Sequence, residues 1–207
     1  MIFAKLVRSS HEIWQWPTGM EELLEKAGRN CYRSDPNNAE VFLKAIIDKG
    51  HESVLEHCCI TVMIECSRTC SHQLVRHRLG AYSQASQRYI NYTKKPVAFI
   101  APPKLSIGHY GSNNRAWSEH PFFKAVFQSL WSYEALLKEG WKPEEARDVL
   151  LECVATQVVT TFNVRQWRHV FRERALNSHA QKPIRELFLG ILREFKTKTY
   201  LFDDLGE

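Results

Sequence analysis

Cys59 to Tyr92, CITVMIECSRTCSHQLVRHRLGAYSQASQRYINY, changes hydrophobic period twice, and each change marks an element. Ile60, Val62 and Ile64 alternate with Thr61, Met63 and Glu65, the period of a strand. Ser67 is a residue type that caps helix N-termini. From it, Cys70 and Leu74 fall at helical spacing, which predicts a short helix carrying the Arg76-His77-Arg78 run on its last turn and ending at Gly80. The small and polar residues after Gly80 offer no face to pack, so they read as a loop running into a β-prone Arg88 to Tyr92. A strand feeding a helix with a cationic end, and then a loop of hydroxyls, amides and arginine, is the framework the rest of the chain has to support.

Before it, Ile2, Ala4 and Leu6 alternate with Phe3, Lys5 and Val7 as an opening strand. Met20, Leu23, Leu24, Ala27 and Cys31 predict one helix. Val41, Phe42, Ala45 and Ile46 predict a second, entered from Asn37 or Asn38 and stopped at Gly50. After it, KKPVAFIAPPKLSIGHYGSNN reads as loop because of Pro96, Pro102 and Pro103. Long helices follow: one through Phe123, Val126, Phe127, Leu130, Trp131 and Leu137, one from Pro143 through EEARDVLLECVATQVV, and a last through Leu187, Phe188, Ile191, Leu192 and Phe195.

The 207 residues suit one domain with a real core, and 44% hydrophobic with 25% charged residues argues against disorder. Lys+Arg 28 against Asp+Glu 23 leaves +5, which suits anionic ligands without making a large nucleic-acid field. The six cysteines make no C-x-x-C pair and no framework, so reduced thiols in a cytoplasmic protein are expected. The start carries no apolar stretch with a cleavage site, and no segment approaches the ~18 apolar residues of a membrane span.

FNVRQWRHVFRERAL, Phe162 to Leu176, reads as a helix capped by Asn163. Trp167, Val170 and Phe171 share one face; Arg165, Arg168, His169 and Arg172 share the other. Arg174 falls among the apolar residues instead. A guanidinium keeps its proton, and an unpaired buried charge costs several kcal/mol, so Arg174 needs a carboxylate or an anionic ligand. Arg147 shows the same oddity on the side of Leu151, Val154 and Val158. The cations of Arg76 to Arg78 could be explained by the helix macrodipole alone. Ser83, Gln84, Ser86 and Arg88 on an uncored loop are not, and guanidiniums among hydroxyls and backbone N–H groups are what a phosphate requires.

Three other patterns carry less. HESVLEH lacks the i, i+4 histidines of a zinc protease because position 55 is Leu55. Cys66, Cys70 and His72 have no second pair of ligands, so no metal site is expected. Ser86 and His77 lack a nucleophile elbow.

RHRLGAYSQAS, with Arg-His-Arg followed after seven residues by Ser86, resembles the signature of the flavin-dependent thymidylate synthases. HESVLEH, EEAR and NVRQWRHVFRERALNSHAQ resemble other segments of that family in the same order, so the likeness runs from about His51 to Gln181. It implies an α+β fold, a central antiparallel β-sheet flanked by long helices, as a single domain over 1–207 that assembles as a homotetramer with sites between subunits. It further implies FAD-dependent reductive methylation of dUMP to dTMP, a methyltransferase reaction with methylenetetrahydrofolate as one-carbon donor and NADPH as reductant. Gln73, Leu74, Val75, Arg76, Gln84, Ala85, Ser86, Gln87, Arg88, Arg147 and Arg174 would surround dUMP. Ser53, Arg76, His77, Arg78, Gln84, Asn163, Val164, Arg165 and His169 would contact FAD. Arg174 would be catalytic, pressing on the uracil ring and favouring ionisation at N3. Where many members carry Asn-Glu, this chain has Ser83-Gln84 and so lacks a carboxylate there.

Two rivals remain. A classical thymidylate synthase needs a cysteine after proline, and none occurs here. A basic nucleic-acid-binding module would use Arg76 to Arg88 on phosphates with Tyr82 or Tyr89 stacking on bases, and would leave Arg147 and Arg174 unexplained.

Overall fold

The computed structural model describes residues 4–94, 96–105 and 120–206. Ile2 and Phe3 of the expected opening strand, and most of the loop after Leu105, lie outside them. The fold is α+β, with a four-stranded antiparallel sheet and a separate parallel pair of strands. The chain divides into two compact units, Met1–Ser9 with Glu65–Leu74 and Gln84–Val158, and Ser10–Ile64 with Val75–Ser83 and Val159–Glu207.

In the first unit, β1 (Ala4–Val7) pairs in parallel with the last strand before the long helix, Val97–Ile100, with Leu6 opposite Phe99. Arg8 fastens the segment after that strand by donating to the carbonyls of Ala101, Pro102 and Leu105. A helix over Pro121–Lys138 lays Val126, Leu130 and Tyr133 against Phe99, Val97 and Val154. Phe127 and Trp131, expected on its packed side, are exposed. The stretch read as loop between Lys94 and Pro102 therefore contains a buried strand. Its flanking prolines end the ladder without interrupting it, which is where strands tolerate them.

The second unit contributes β2 (Ser10–Gln15), α1 (Met20–Asn30) and α2 (Ala39–Asp48). Asn38 caps α2 through its side chain, which accepts from Val41 N at 3.0 Å, and Gly50 follows the helix with φ 73°, as the stop signal required. On α1, Met20 and Leu24 are buried while Leu23 and Cys31 are exposed, so the helix packs a narrower stripe than its apolar content suggested. Rings of Phe162, Trp167, Phe171, Phe188, Phe195 and Phe202 make the core, mostly edge to face, and Trp167 Nε1 donates to Ile60 O at 3.1 Å. Such ring pairs add about 0.5–1.5 kcal/mol each beyond the area they bury.

The four-stranded sheet has the order β2-β3-β6-β4, where β3 is Cys59–Ser67, β4 Ala81–Gln84, β5 the Val97–Ile100 strand and β6 Ala155–Asn163. Ile60, Val62 and Ile64 are fully buried, as their alternation demanded. Two expectations change. The helix predicted from Pro143 stops after one turn at Ala146, passes through a 3-10 turn at Arg147–Val149, and gives way to β6, in which Thr156, Val158, Thr160 and Phe162 point inward. Val, Thr and Phe suit a pleated surface, and the apolar-all-round reading of a helix was this strand.

The second change concerns α3, which covers Arg68–Leu74 and ends before the Arg-His-Arg run. Ser67 does cap it, accepting from Cys70 N at 3.1 Å. The residues after Gly80, read as loop, are strand β4 on the edge of the sheet, and Arg88 to Tyr92, read as β-prone, form no strand. Gly80 stops no helix. A Cβ there would lie 2.2 Å from ring carbons of Phe162, so the glycine lets the chain cross that ring before joining β6.

Candidate functional site

α4 is the helix Pro121–Lys138, α5 the turn Pro143–Ala146, and α6 the helix Val164–Phe171. Asn163 caps α6, its Oδ1 accepting from Gln166 N at 2.7 Å. The helix does not run on as α through Arg174: residues Arg172–Leu176 form a π-helical turn, a distortion frequent at functional sites. Hydrogen bonds that span one residue more than in an α-helix change where each side chain points. Arg174 emerges half-buried and donates from Nε to Nε2 of His77 at 3.0 Å, with no carboxylate partner among the described residues.

His77 is 7% exposed, packs edge to face on His169 with centroids 5.7 Å apart, and offers its carbonyl to Tyr82 OH at 2.7 Å. Burial, then the charge of Arg174 and the proximity of His169, push its pKa down to about 4. It is neutral at pH 7.

His169 also lines a cleft of about 500 Å³ with Glu52, Glu56, Leu79, Asn163, Arg165, Gln166 and Arg172. Both guanidiniums of its lining are already paired: Arg165 with Glu56 at 2.5 Å, and Arg172 with Glu52 at 2.8 Å. Glu52 is half-buried. Burial pushes its pKa up, but Arg172 and Arg168 outweigh that and hold it below the usual carboxylate range. Leu79 is 74% exposed, an apolar patch within this polar lining. Arg76 and Arg78 are exposed cations with no hydrogen-bond or ion-pair partner among the described residues.

Arg168, placed by helical spacing on the cationic face with Arg165, His169 and Arg172, does not share their access to the cleft. It is fully buried, with both terminal nitrogens on Asp204 at 2.7 and 2.6 Å, Nε on Glu52 at 3.1 Å, and a further bond to Leu201 O. The C-terminal segment covers that face of α6, a contact 36 residues away in sequence. Of the residues expected near FAD, Asn163, Arg165 and His169 therefore share one cleft and His77 adjoins it through His169. Ser53 is exposed on the 3-10 turn Glu52–His57. Val164 is fully buried and its N–H goes to Cys58 O at 2.9 Å. Glu52, Glu56, Leu79, Gln166 and Arg172 were missed by the sequence reading of this cleft; the i, i+4 spacing of the two glutamates in HESVLEH was the available signal.

In the first unit, both Gln84 donor bonds go inward, to Ser71 Oγ at 3.0 Å and Thr156 Oγ1 at 3.1 Å, leaving its carbonyl oxygen for any other partner. Ala85 N extends the ladder to Gln157 O, and Ser86 Oγ accepts from Arg88 N at 3.3 Å. Arg88 meets Glu144 at 3.3 Å. The Gln87 side chain is buried, and its amide nitrogen has no hydrogen-bond acceptor within reach among the described residues. Gln73 bonds Thr69 O, and Leu74 is fully buried. Arg147 sits in the 3-10 turn, 3.9 Å from exposed Asp148, so the argument that placed it on one helix face with Val154 and Val158 does not hold. Val75 and Arg76 belong with Arg174 to the second unit.

Guanidinium, imidazole and amide donors around an apolar patch, carried by an α+β fold, are groups chemically suited to an anionic ligand. The family profile described as "Thymidylate synthase complementing protein" matches residues 12–199. A flavin-dependent thymidylate synthase of Pyrococcus abyssi is 38% identical over 168 residues, covering 80% of this chain and 66% of that protein. One of Mycobacterium sp. strain KMS is 38% identical over 209 residues, covering 86% and 78%, and one of Geobacter sulfurreducens 35% over 191, covering 91% and 75%. The chain spans just under two thirds of the length of the Pyrococcus abyssi protein. It belongs to the flavin-dependent thymidylate synthase family.

Proposed function

We propose that this chain converts dUMP to dTMP by reductive methylation, binding FAD, taking reducing equivalents from NADPH and the one-carbon unit from methylenetetrahydrofolate, as a homotetramer. The single observation that carries the reading is Arg174, a half-buried guanidinium tethered through Nε to a neutral histidine, with no carboxylate opposite it among the described residues. Such a charge is stable in a partly dry place when a ligand anion meets it. A uracil ring ionising at N3 is a flat partner of that kind, and a prepositioned guanidinium stabilises charge that develops there without rearranging. A nucleic-acid-binding module has no use for a half-buried arginine of this sort.

The donors of the cleft fit a dinucleotide. Arg165, Arg172 and His169 suit a pyrophosphate, the side-chain amides of Asn163 and Gln166 suit a ribose or base edge, and Leu79 suits a ring. Glu52 and Glu56 restrain two of the guanidiniums, so exposed Arg76 and Arg78 supply the uncommitted charge. When bound, flavin supplies the redox chemistry that side chains lack. The protein's own part is to orient the ring, neutralise phosphate and hold Arg174 against the pyrimidine. In the dUMP set, Ser86, Gln87 and Arg88 would serve the phosphate, and Gln84 would accept through its carbonyl oxygen.

Purified protein is expected to show a flavin absorption spectrum and, given NADPH and methylenetetrahydrofolate, to release the C5 hydrogen of dUMP as dTMP forms. Turnover with no flavin present, or no flavin binding at all, refutes the reading. Arg174→Ala should keep the flavin spectrum and lose roughly 100- to 1,000-fold in kcat, the scale of removing one prepositioned charge-stabilising donor. Undiminished dTMP formation would remove Arg174 from the chemistry.

A further inference from the structure

We infer that His77 is the positioning residue of Arg174, aiming the guanidinium through its Nε while leaving the arginine's charge uncancelled. The inference rests on the reading of Arg174 given above. An arginine Nε always carries its proton, so His77 Nε2, 3.0 Å away, is the acceptor. A protonated ring would have no lone pair to offer and would set two cations against each other. The ring is therefore the neutral tautomer with its proton on Nδ1.

The fold enforces this state and this direction. The ring is nearly excluded from water. The His77 backbone carbonyl is pinned by Tyr82 OH, and the Tyr82 ring is set edge-on to Phe162 at 5.7 Å. His169 closes one side, and burial together with Arg174 and His169 holds the imidazole uncharged far below neutrality.

The same chain shows the alternative device. Arg168 is oriented by carboxylates, Asp204 and Glu52, and its charge is spent on them. An arginine that has to attract a developing anion loses most of its effect if a carboxylate sits beside it, because in a partly dry site two unit charges a few Å apart interact by several kcal/mol. An imidazole lone pair supplies direction without that cancellation. It also leaves both terminal nitrogens of Arg174 with no protein acceptor among the described residues.

The test has two arms. In the whole wild-type protein at pH 7, nitrogen-15 NMR should find His77 Nε2 unprotonated and coupled to the Arg174 Nε–H; a protonated Nε2 overturns the inference. In the second arm, His77→Gln keeps a neutral acceptor and His77→Glu installs a charged one. With flavin occupancy normalised by absorbance, the Gln variant should stay within roughly fivefold of wild type in kcat and the Glu variant should fall roughly 100-fold. A Glu variant as active as the Gln variant overturns it. Should either substitution prevent folding, the wild-type tautomer decides. Failure of the wild type to make dTMP would count against the proposed function alone, since the NMR arm does not depend on turnover.

Discussion

A neutral histidine beside an arginine has a thermodynamic signature of its own. In the unfolded chain His77 titrates near its ordinary value of 6.5, and in the fold at about 4, so between those values the unfolded state binds the extra proton. The contribution is fully present above about pH 6.5 and drains away as the pH falls toward 4. The groups set against the ring are Arg174 and His169, and both oppose its protonation. A displacement of this size corresponds to on the order of 3 kcal/mol. Denaturant unfolding of wild type and His77→Gln at pH 7 and pH 4 should show the wild type losing about that much relative to the variant, which has nothing to titrate at the position. Parallel loss in both proteins would mean the imidazole is not held neutral.

At the scale of elements, helix α6 shows both what its sequence discloses and what it hides. Its cap, its start and its apolar face at Trp167, Val170 and Phe171 follow from local spacing, and all three are found. Its polar face does not follow. Arg168 was grouped with Arg165, His169 and Arg172, and nothing nearby in sequence marks it for burial, yet Asp204 reaches it from 36 residues away. The π-helical turn after Phe171 is equally hidden, since no residue type announces it, although Arg174 was still marked as an arginine out of place. β6 was misread because a run rich in valine and threonine, buried on one side, also fits a helix window; its partner β3 lies about a hundred residues earlier, where Thr61 bonds Thr161. The cleft was legible in part, through Asn163, Arg165 and His169, and its glutamates were not, because a 3-10 turn brought them in. The Arg168 network can be tested directly. Removing one partner of a buried charge is costly, and Glu52 and Leu201 O would remain, so Asp204→Ala should destabilise the protein by about 2–3 kcal/mol. Asp204→Asn, keeping an acceptor, should cost less. Equal stability of all three proteins in urea would show that the C-terminal segment is held by its apolar residues alone.

For the molecule as a whole, the distribution of committed and uncommitted cations decides how it responds to ligand. The net charge of +5 is modest, and Arg88, Arg165, Arg168 and Arg172 are engaged with carboxylates. Arg76, Arg78 and Arg174 are not among the described residues' ion pairs; on the proposed reading Arg76 meets the nucleotide phosphate and Arg174 the ionising base. Binding to the folded state alone stabilises by mass action, about 2.7 kcal/mol at a hundredfold excess over Kd. For a chain of this length each kcal/mol raises Tm by roughly 2–4 °C, so dUMP at that excess should raise Tm by about 5–10 °C. Deoxyuridine, which keeps the ring and lacks the phosphate, should give a much smaller rise at the same concentration. Arg76→Ala should shrink the dUMP shift toward the deoxyuridine value, because an exposed cation acts on the phosphate through its charge. Arg174→Ala should reduce the shifts of both ligands, because the half-buried guanidinium is assigned to the base that they share. A phosphate-independent shift in the wild type would detach the exposed arginines from nucleotide binding while leaving Arg174 and its histidine in place.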